Sequence, residues 1–104
     1  MNRLKNKVIV VTGGSGLIGQ SIIKQVCKEG GLAINADIIH STNIQEGLVN
    51  CDVTDINSVQ KCINILISEY GKIDNILKCG LAFFLTLKDV LYCIQVTNLS
   101  EVVF

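Results

Sequence analysis

Between Val8 and Ile23 the sequence reads VIVVTGGSGLIGQSII, and this stretch restricts the fold more than any other. Lys7 to Thr12 is a β-branched run of the kind buried on both faces of a parallel sheet. Glycines follow at 13, 14, 16 and 19, and an amphipathic helix pattern begins at once. A strand that turns through glycines straight into a helix is the opening of an alternating α/β fold.

Gly14, Gly16 and Gly19 form a GxGxxG pattern, and its position between strand and helix gives the pattern its meaning. The early glycines permit a tight turn and let backbone N–H groups approach a pyrophosphate with no Cβ in the way. Gly19 lets the helix pack closely on the sheet. The helix N-terminus adds roughly half a positive charge facing the phosphates. Asp37 stands eighteen residues beyond Gly19, at the end of the next apolar run. A carboxylate there accepts hydrogen bonds from adenosine ribose hydroxyls and repels a 2′-phosphate. No Lys or Arg occurs between Lys28 and Lys61, so the pattern favours NAD over NADP.

Downstream, strands and helices alternate. The first helix is expected over Leu17 to Glu29, with Ile18, Ile22 and Val26 in one apolar stripe beside Ile23 and Cys27. Gly30 and Gly31 end it. Leu32 to Ala36 is a second strand, ending at Asp37. IIHSTNIQEG is a polar connection, and Gly47 to Cys51 a short third strand. The longest periodic segment follows, with Val59, Cys62, Ile63, Leu66, Ile67 and Tyr70 on one face. Thr54 is its expected N-cap, Asp55 favours the positive helix end, and Gly71 closes it. Ile73 to Leu77 is a fourth strand. The alternation predicts a doubly wound parallel α/β sheet in the order 3-2-1-4, with ligand at the carboxyl ends of the strands where the order reverses.

Composition narrows the partners. The 104 residues carry nine basic and nine acidic side chains, so a nucleic acid or an anionic membrane is not an expected partner. No apolar run reaches the ~18 residues that span a bilayer, and no signal peptide is evident. Five cysteines without a CxxC pair suggest buried, reduced thiols in a cytoplasmic protein rather than disulfides or zinc. His40, the one histidine, reads as an exposed loop residue.

Three segments in order resemble the short-chain dehydrogenase/reductase family: TGGSGLIG, CDVTD and YGKIDNIL, covering about residues 5 to 77. The resemblance implies a Rossmann-like domain in residues 1–77. It places Gly13, Gly14, Ser15, Gly16, Leu17, Ile18 and Gly19 at an NAD phosphate site, Asp37 at the ribose, and Asp52 and Val53 beside the adenine. It also implies hydride transfer at an alcohol or carbonyl carbon. Gly13, Gly16 and Gly19 fit TGxxGxxG, the spacing of larger nucleotide-sugar epimerases and dehydratases, whereas EYGKID is more like the smaller oxidoreductases. A fragment of an epimerase or dehydratase and a non-catalytic nucleotide-binding module are therefore the alternatives.

The family's catalytic Ser, Tyr and Lys have no match. Tyr70 is followed four positions later by Asp74 and Tyr92 by Val96, so neither makes YxxxK, and Ser100 has no such partner. The apolar tail 78–104 does not resemble the family, and KCGLAFF stands where an Asn-rich loop is usual. Either the tail closes a miniature sheet, or it is the product of a frameshift or interrupted gene; the abrupt end of the resemblance near Leu77 favours the second. A sheet edge left open at strand four would promote self-association.

Overall fold

The computed structural model describes residues 2–78. In chain order these form β1 (Val8–Thr12), α1 (Leu17–Lys28), β2 (Leu32–Asp37), a 3₁₀ turn (Ile44–Glu46), β3 (Leu48–Asn50), α2 (Ile56–Tyr70) and β4 (Asn75–Lys78). The strands build a parallel sheet in the order β3-β2-β1-β4. This is the Rossmann-like doubly wound order expected from the sequence. The tail and its cysteines, Tyr92 and Ser100 lie outside the described residues.

β1 sits inside the sheet with all five residues buried, and Val10 is level with Ile34 on one side and Ile76 on the other. Its side chains alternate between two cores. Val8 and Val10 join Ile34, Ala36, Val49 and the α2 residues Val59, Cys62, Ile63 and Leu66. Ile9 and Val11 join Val26, with Ile22 and Ile23 of α1 packed against them. The two helices therefore cover opposite faces of the sheet. The periodicity of α2 is confirmed: Val59, Cys62, Ile63 and Leu66 are buried, and Ile67 and Tyr70 are packed at the margin.

The structure corrects several sequence expectations. In α1 the core-facing positions are Gly19, Ile22, Ile23 and Val26, while Ile18 is 68% exposed and Cys27 is exposed. Gly19 is itself an inward position, which rotates the buried stripe by one residue from the one the apolar letters suggest. The N-cap of α2 is Asp55, whose side chain accepts from the Asn57 N–H; Thr54 bonds Asp52 instead. β4 begins at Asn75; just before it, the Asp74 carboxylate accepts the Val8 N–H and the Asp74 N–H donates to the Val8 carbonyl. His40 is half-buried in the turn after β2 rather than exposed. The polar connection holds the 3₁₀ turn, whose Ile44 packs on the α2-side core and whose carbonyl accepts from the Tyr70 hydroxyl at 3.3 Å.

Among the described residues no helix is long and apolar enough to cross a membrane.

At the other end of α1, Arg3 grips Glu29 through two hydrogen bonds of 2.9 and 2.8 Å, tying the N-terminal segment down. Hydrogen bonding to Arg3 outweighs burial and holds the Glu29 carboxyl below its ordinary range. A depressed carboxyl contributes stability above its unfolded value and loses it as pH falls through the folded one. Arg3→Ala should therefore reduce the loss of stability between about pH 5 and pH 3, measured by urea unfolding at each pH. In the core, Leu66 is fully buried, so Leu66→Ala should cost about 2–5 kcal/mol by the shift of the urea midpoint.

Candidate functional site

The order of the sheet reverses beside β1, and the glycine loop occupies that position at the carboxyl ends of the strands. Thr12 ends β1 with its hydroxyl donating to the Leu77 carbonyl of β4 at 3.3 Å. The next N–H, of Gly13, crosses the other way to the Ala36 carbonyl of β2 at 2.9 Å. Gly13 then turns the chain at φ +65, in the left-handed region that side chains avoid.

Each remaining glycine has a different reason to be glycine. A Cβ on Gly14 would lie 2.5 Å from Asn35 Oδ1 and 2.8 Å from Ile23 Cδ1. One on Gly19 would lie 2.6 Å from both the Gly13 oxygen and the Gly14 Cα, so the close approach expected of Gly19 is to the loop backbone. Gly16, the N-cap of α1, is different. Among the described residues a Cβ there would meet only the Gly13 oxygen, at an ordinary 3.7 Å. No side chain among the described residues caps this helix start, and Leu17 and Ile18 beside it are 87% and 68% exposed.

Ser15 is held at three points. Its N–H donates to Asp37 Oδ2 at 3.2 Å, its hydroxyl accepts from Asn35 Nδ2 at 3.2 Å, and its carbonyl accepts from Gln20 Nε2 at 2.7 Å. The other Asp37 oxygen accepts the Ile38 N–H at 2.7 Å. The structure thus joins Asp37 directly to the glycine loop. Asn35 was not singled out from the sequence, although it stands two residues before Asp37 and so shares its face of β2. Its Oδ1 is buried against Gly14, with no hydrogen-bond partner among the described residues.

Asp52 and Val53 are differently engaged. Asp52 Oδ1 accepts from the Thr54 hydroxyl at 2.6 Å and the Thr54 N–H at 2.9 Å, and its own N–H donates to Ser58 Oγ at 2.8 Å. The Thr54 hydroxyl and N–H hold the Asp52 carboxyl below its ordinary range against the effect of burial. Val53 packs on the α2-side core. Among the described residues no hydrogen bond joins Asp52 or Val53 to the glycine loop; they shape the entry to α2. Ser58 escaped the sequence reading, yet it is the third residue of α2, where a side chain can reach back to N–H groups ahead of the helix.

Tyr70 closes α2 against the 3₁₀ turn. Its hydroxyl serves the Ile44 carbonyl, and burial, with Glu69 nearby, pushes its pKa up, opposite to the lowering that acid/base work near neutrality requires.

A reversed parallel sheet, a glycine turn at the reversal, and a carboxylate at the end of β2 define a Rossmann-like α/β architecture, a class in which dinucleotides bind at the reversal. No family model matches the chain. Individual proteins do. A 7alpha-hydroxysteroid dehydrogenase of Bacteroides fragilis is 31% identical over 85 residues, covering 71% of this chain and 33% of that protein. A C-terminal deletion mutant of Thermoplasma acidophilum aldohexose dehydrogenase superposes with a TM-score of 0.65 at 32% identity, covering 73% of this chain and 33% of the other. An NAD+-bound xylitol dehydrogenase superposes at 0.61 with 25% identity, covering 71% of this chain and 33% of the other. The chain belongs to the short-chain dehydrogenase/reductase family, and it spans about a third of the length of the curated relatives it matches.

The loop geometry separates two substitutions. Helix propensity alone favours Ala over Gly at position 19 by about 1 kcal/mol. The 2.6 Å contacts reverse that preference, so Gly19→Ala should destabilise. Gly16→Ser instead supplies a favoured N-cap in open space and should hold or raise the melting temperature. Thermal melts of the two variants beside the parent chain check both.

Proposed function

We propose that this chain binds the adenosine and pyrophosphate of NAD, as the cofactor-holding part of an oxidoreductase acting at an alcohol or carbonyl carbon. The observation that carries the reading is the start of α1. Gly14 and Gly19 are explained by the protein's own packing, whereas Gly16 leaves a Cβ-sized opening at an uncapped helix N-terminus. Bare backbone N–H groups at the positive end of a helix fit a pyrophosphate.

In this reading Gly13 to Gly19 cradle the phosphates, with Ser15 fixing the loop and Leu17 and Ile18 at its open rim. Asp37 accepts the ribose hydroxyls, and Asp52 and Val53 border the adenine. The Asp37 charge, without a Lys or Arg between residues 28 and 61, sets the preference for NAD over NADP. When bound, the nicotinamide supplies or accepts the hydride. The chain's own residues hold and orient; no YxxxK is present to move the proton, so the 104 residues alone should bind without turning over. The spacing of Gly13, Gly16 and Gly19 keeps a nucleotide-sugar epimerase or dehydratase as the second reading of the parent enzyme.

Calorimetric titration tests the cofactor site. NAD should bind saturably and at least about tenfold more tightly than NADP, since a hydrogen bond to a charged group contributes about 1.5–3 kcal/mol. Gly16→Ser should abolish binding in a chain that still melts cooperatively, and Asp37→Ala should shrink the preference for NAD. Equal or tighter binding of NADP by the parent chain would refute the assignment to NAD. Hydride transfer to or from any hydroxy or keto compound by this chain would refute the claim of binding without turnover.

A further inference from the structure

On the α2 side of the sheet two thiols have no part in the reading above. Cys51 directly follows β3 and Cys62 lies on the second turn of α2. Each is 4% exposed, and both belong to one apolar cluster. Both also line a cavity of about 30 Å³ between helix and sheet, whose other walls include Val10, Ala36, Val59 and Leu66. One water needs about 10–15 Å³ by this measure, so the space admits a molecule of about two water volumes, the size of hydrogen peroxide.

The thiols are close enough to govern each other. Cys62 is the strongest influence on Cys51 and lowers its pKa, with burial opposing and Ser58 assisting. Cys51, together with burial, pushes Cys62 far up. The two thiols thus act as a pair, in which the proton of one supports a developing thiolate on the other. Cys27, in contrast, is exposed on α1 with no such neighbour in the α2-side cluster.

We propose that Cys51 and Cys62 form an oxidative modification site, in which a small peroxide entering the cavity joins them as a disulfide between β3 and α2. One of the two sulfurs attacks a peroxide oxygen. The O–O bond breaks, and the departing hydroxide takes up that thiol's proton as water, leaving a sulfenic acid. The other sulfur then displaces hydroxide from that sulfenic acid, and its own proton completes the second water. Two thiols lose two electrons in all, and one hydrogen peroxide is reduced to two waters. Closing to an S–S bond of about 2.05 Å requires the sulfurs to move together, and the adjoining cavity supplies the space. The site stands independently of any cofactor.

Trypsin separates the two residues, because cleavage after Lys28, Lys61 and Lys72 leaves Cys51 in peptide 29–61 and Cys62 in peptide 62–72. The folded chain is treated with hydrogen peroxide, its free thiols are blocked with N-ethylmaleimide in denaturant, and the digest is read by mass spectrometry with and without reductant. The expected product is a reductant-sensitive species joining 29–61 to 62–72 as the main disulfide, formed equally in a Cys27→Ser variant. The same treatment in urea should scatter the linkages among the five cysteines. Full blocking of Cys51 and Cys62 in the peroxide-treated folded chain would overturn the proposal. So would principal linkage of either to Cys27, Cys79 or Cys93, or the same yield of the 51–62 link in urea.

Discussion

The described structure depends on one strand being buried on both faces. Each residue of β1 loses its contact with water, so the strand must be paired along both edges and covered from above and below. α1 covers one face through Ile9 and Val11, and α2 covers the other through Val8 and Val10. Once those two helices are committed to opposite faces, the chain can add β2 on one side of β1 and β4 only on the other. The reversal of strand order, and the crevice it opens beside Thr12, follow from that division.

The glycine loop inherits its shape from both sides of this crevice. Gly13 is anchored to β2 through Ala36, Thr12 reaches β4 through Leu77, and the polar face of β2 does the finer positioning. Asn35 and Asp37 are two residues apart and therefore project on the same side, where they hold the hydroxyl and the N–H of a single residue, Ser15. A loop that looks like a flexible glycine run is thereby fixed at the backbone before any ligand is considered.

Much of this was legible in the sequence, for physical reasons that differ by element. The β-branched run of β1 and the 3.6-residue stripe of α2 are strong because burial is nearly complete there, and burial is what the apolar letters report. The strand order followed from the alternation of elements and the family likeness. The face of α1 was harder: the most confined position, Gly19, carries no side chain, so counting apolar residues assigned Ile18 and Cys27 inward when the backbone contact turns them out. The cap of α2 was misplaced by one residue because Asp52, Thr54 and Asp55 all suit a helix start, and only the three-dimensional turn sends Thr54 to Asp52. Asn35 shows the converse. Its spacing from Asp37 was visible, but its partner Ser15 is twenty residues away in sequence and is reached only once the strand lies beside the loop.

The two oxygens of Asp37 are both occupied by backbone N–H groups, one of them from the glycine loop. This makes position 37 a keystone of the loop as well as the proposed ribose contact. Re-engineering the chain toward a phosphorylated dinucleotide by exchanging that carboxylate for a basic side chain would remove the acceptor for Ser15 and set a cation against the same N–H. A redesign would have to graft a replacement acceptor in the same move, and in a lineage that drifted between cofactors the two changes would have to travel together.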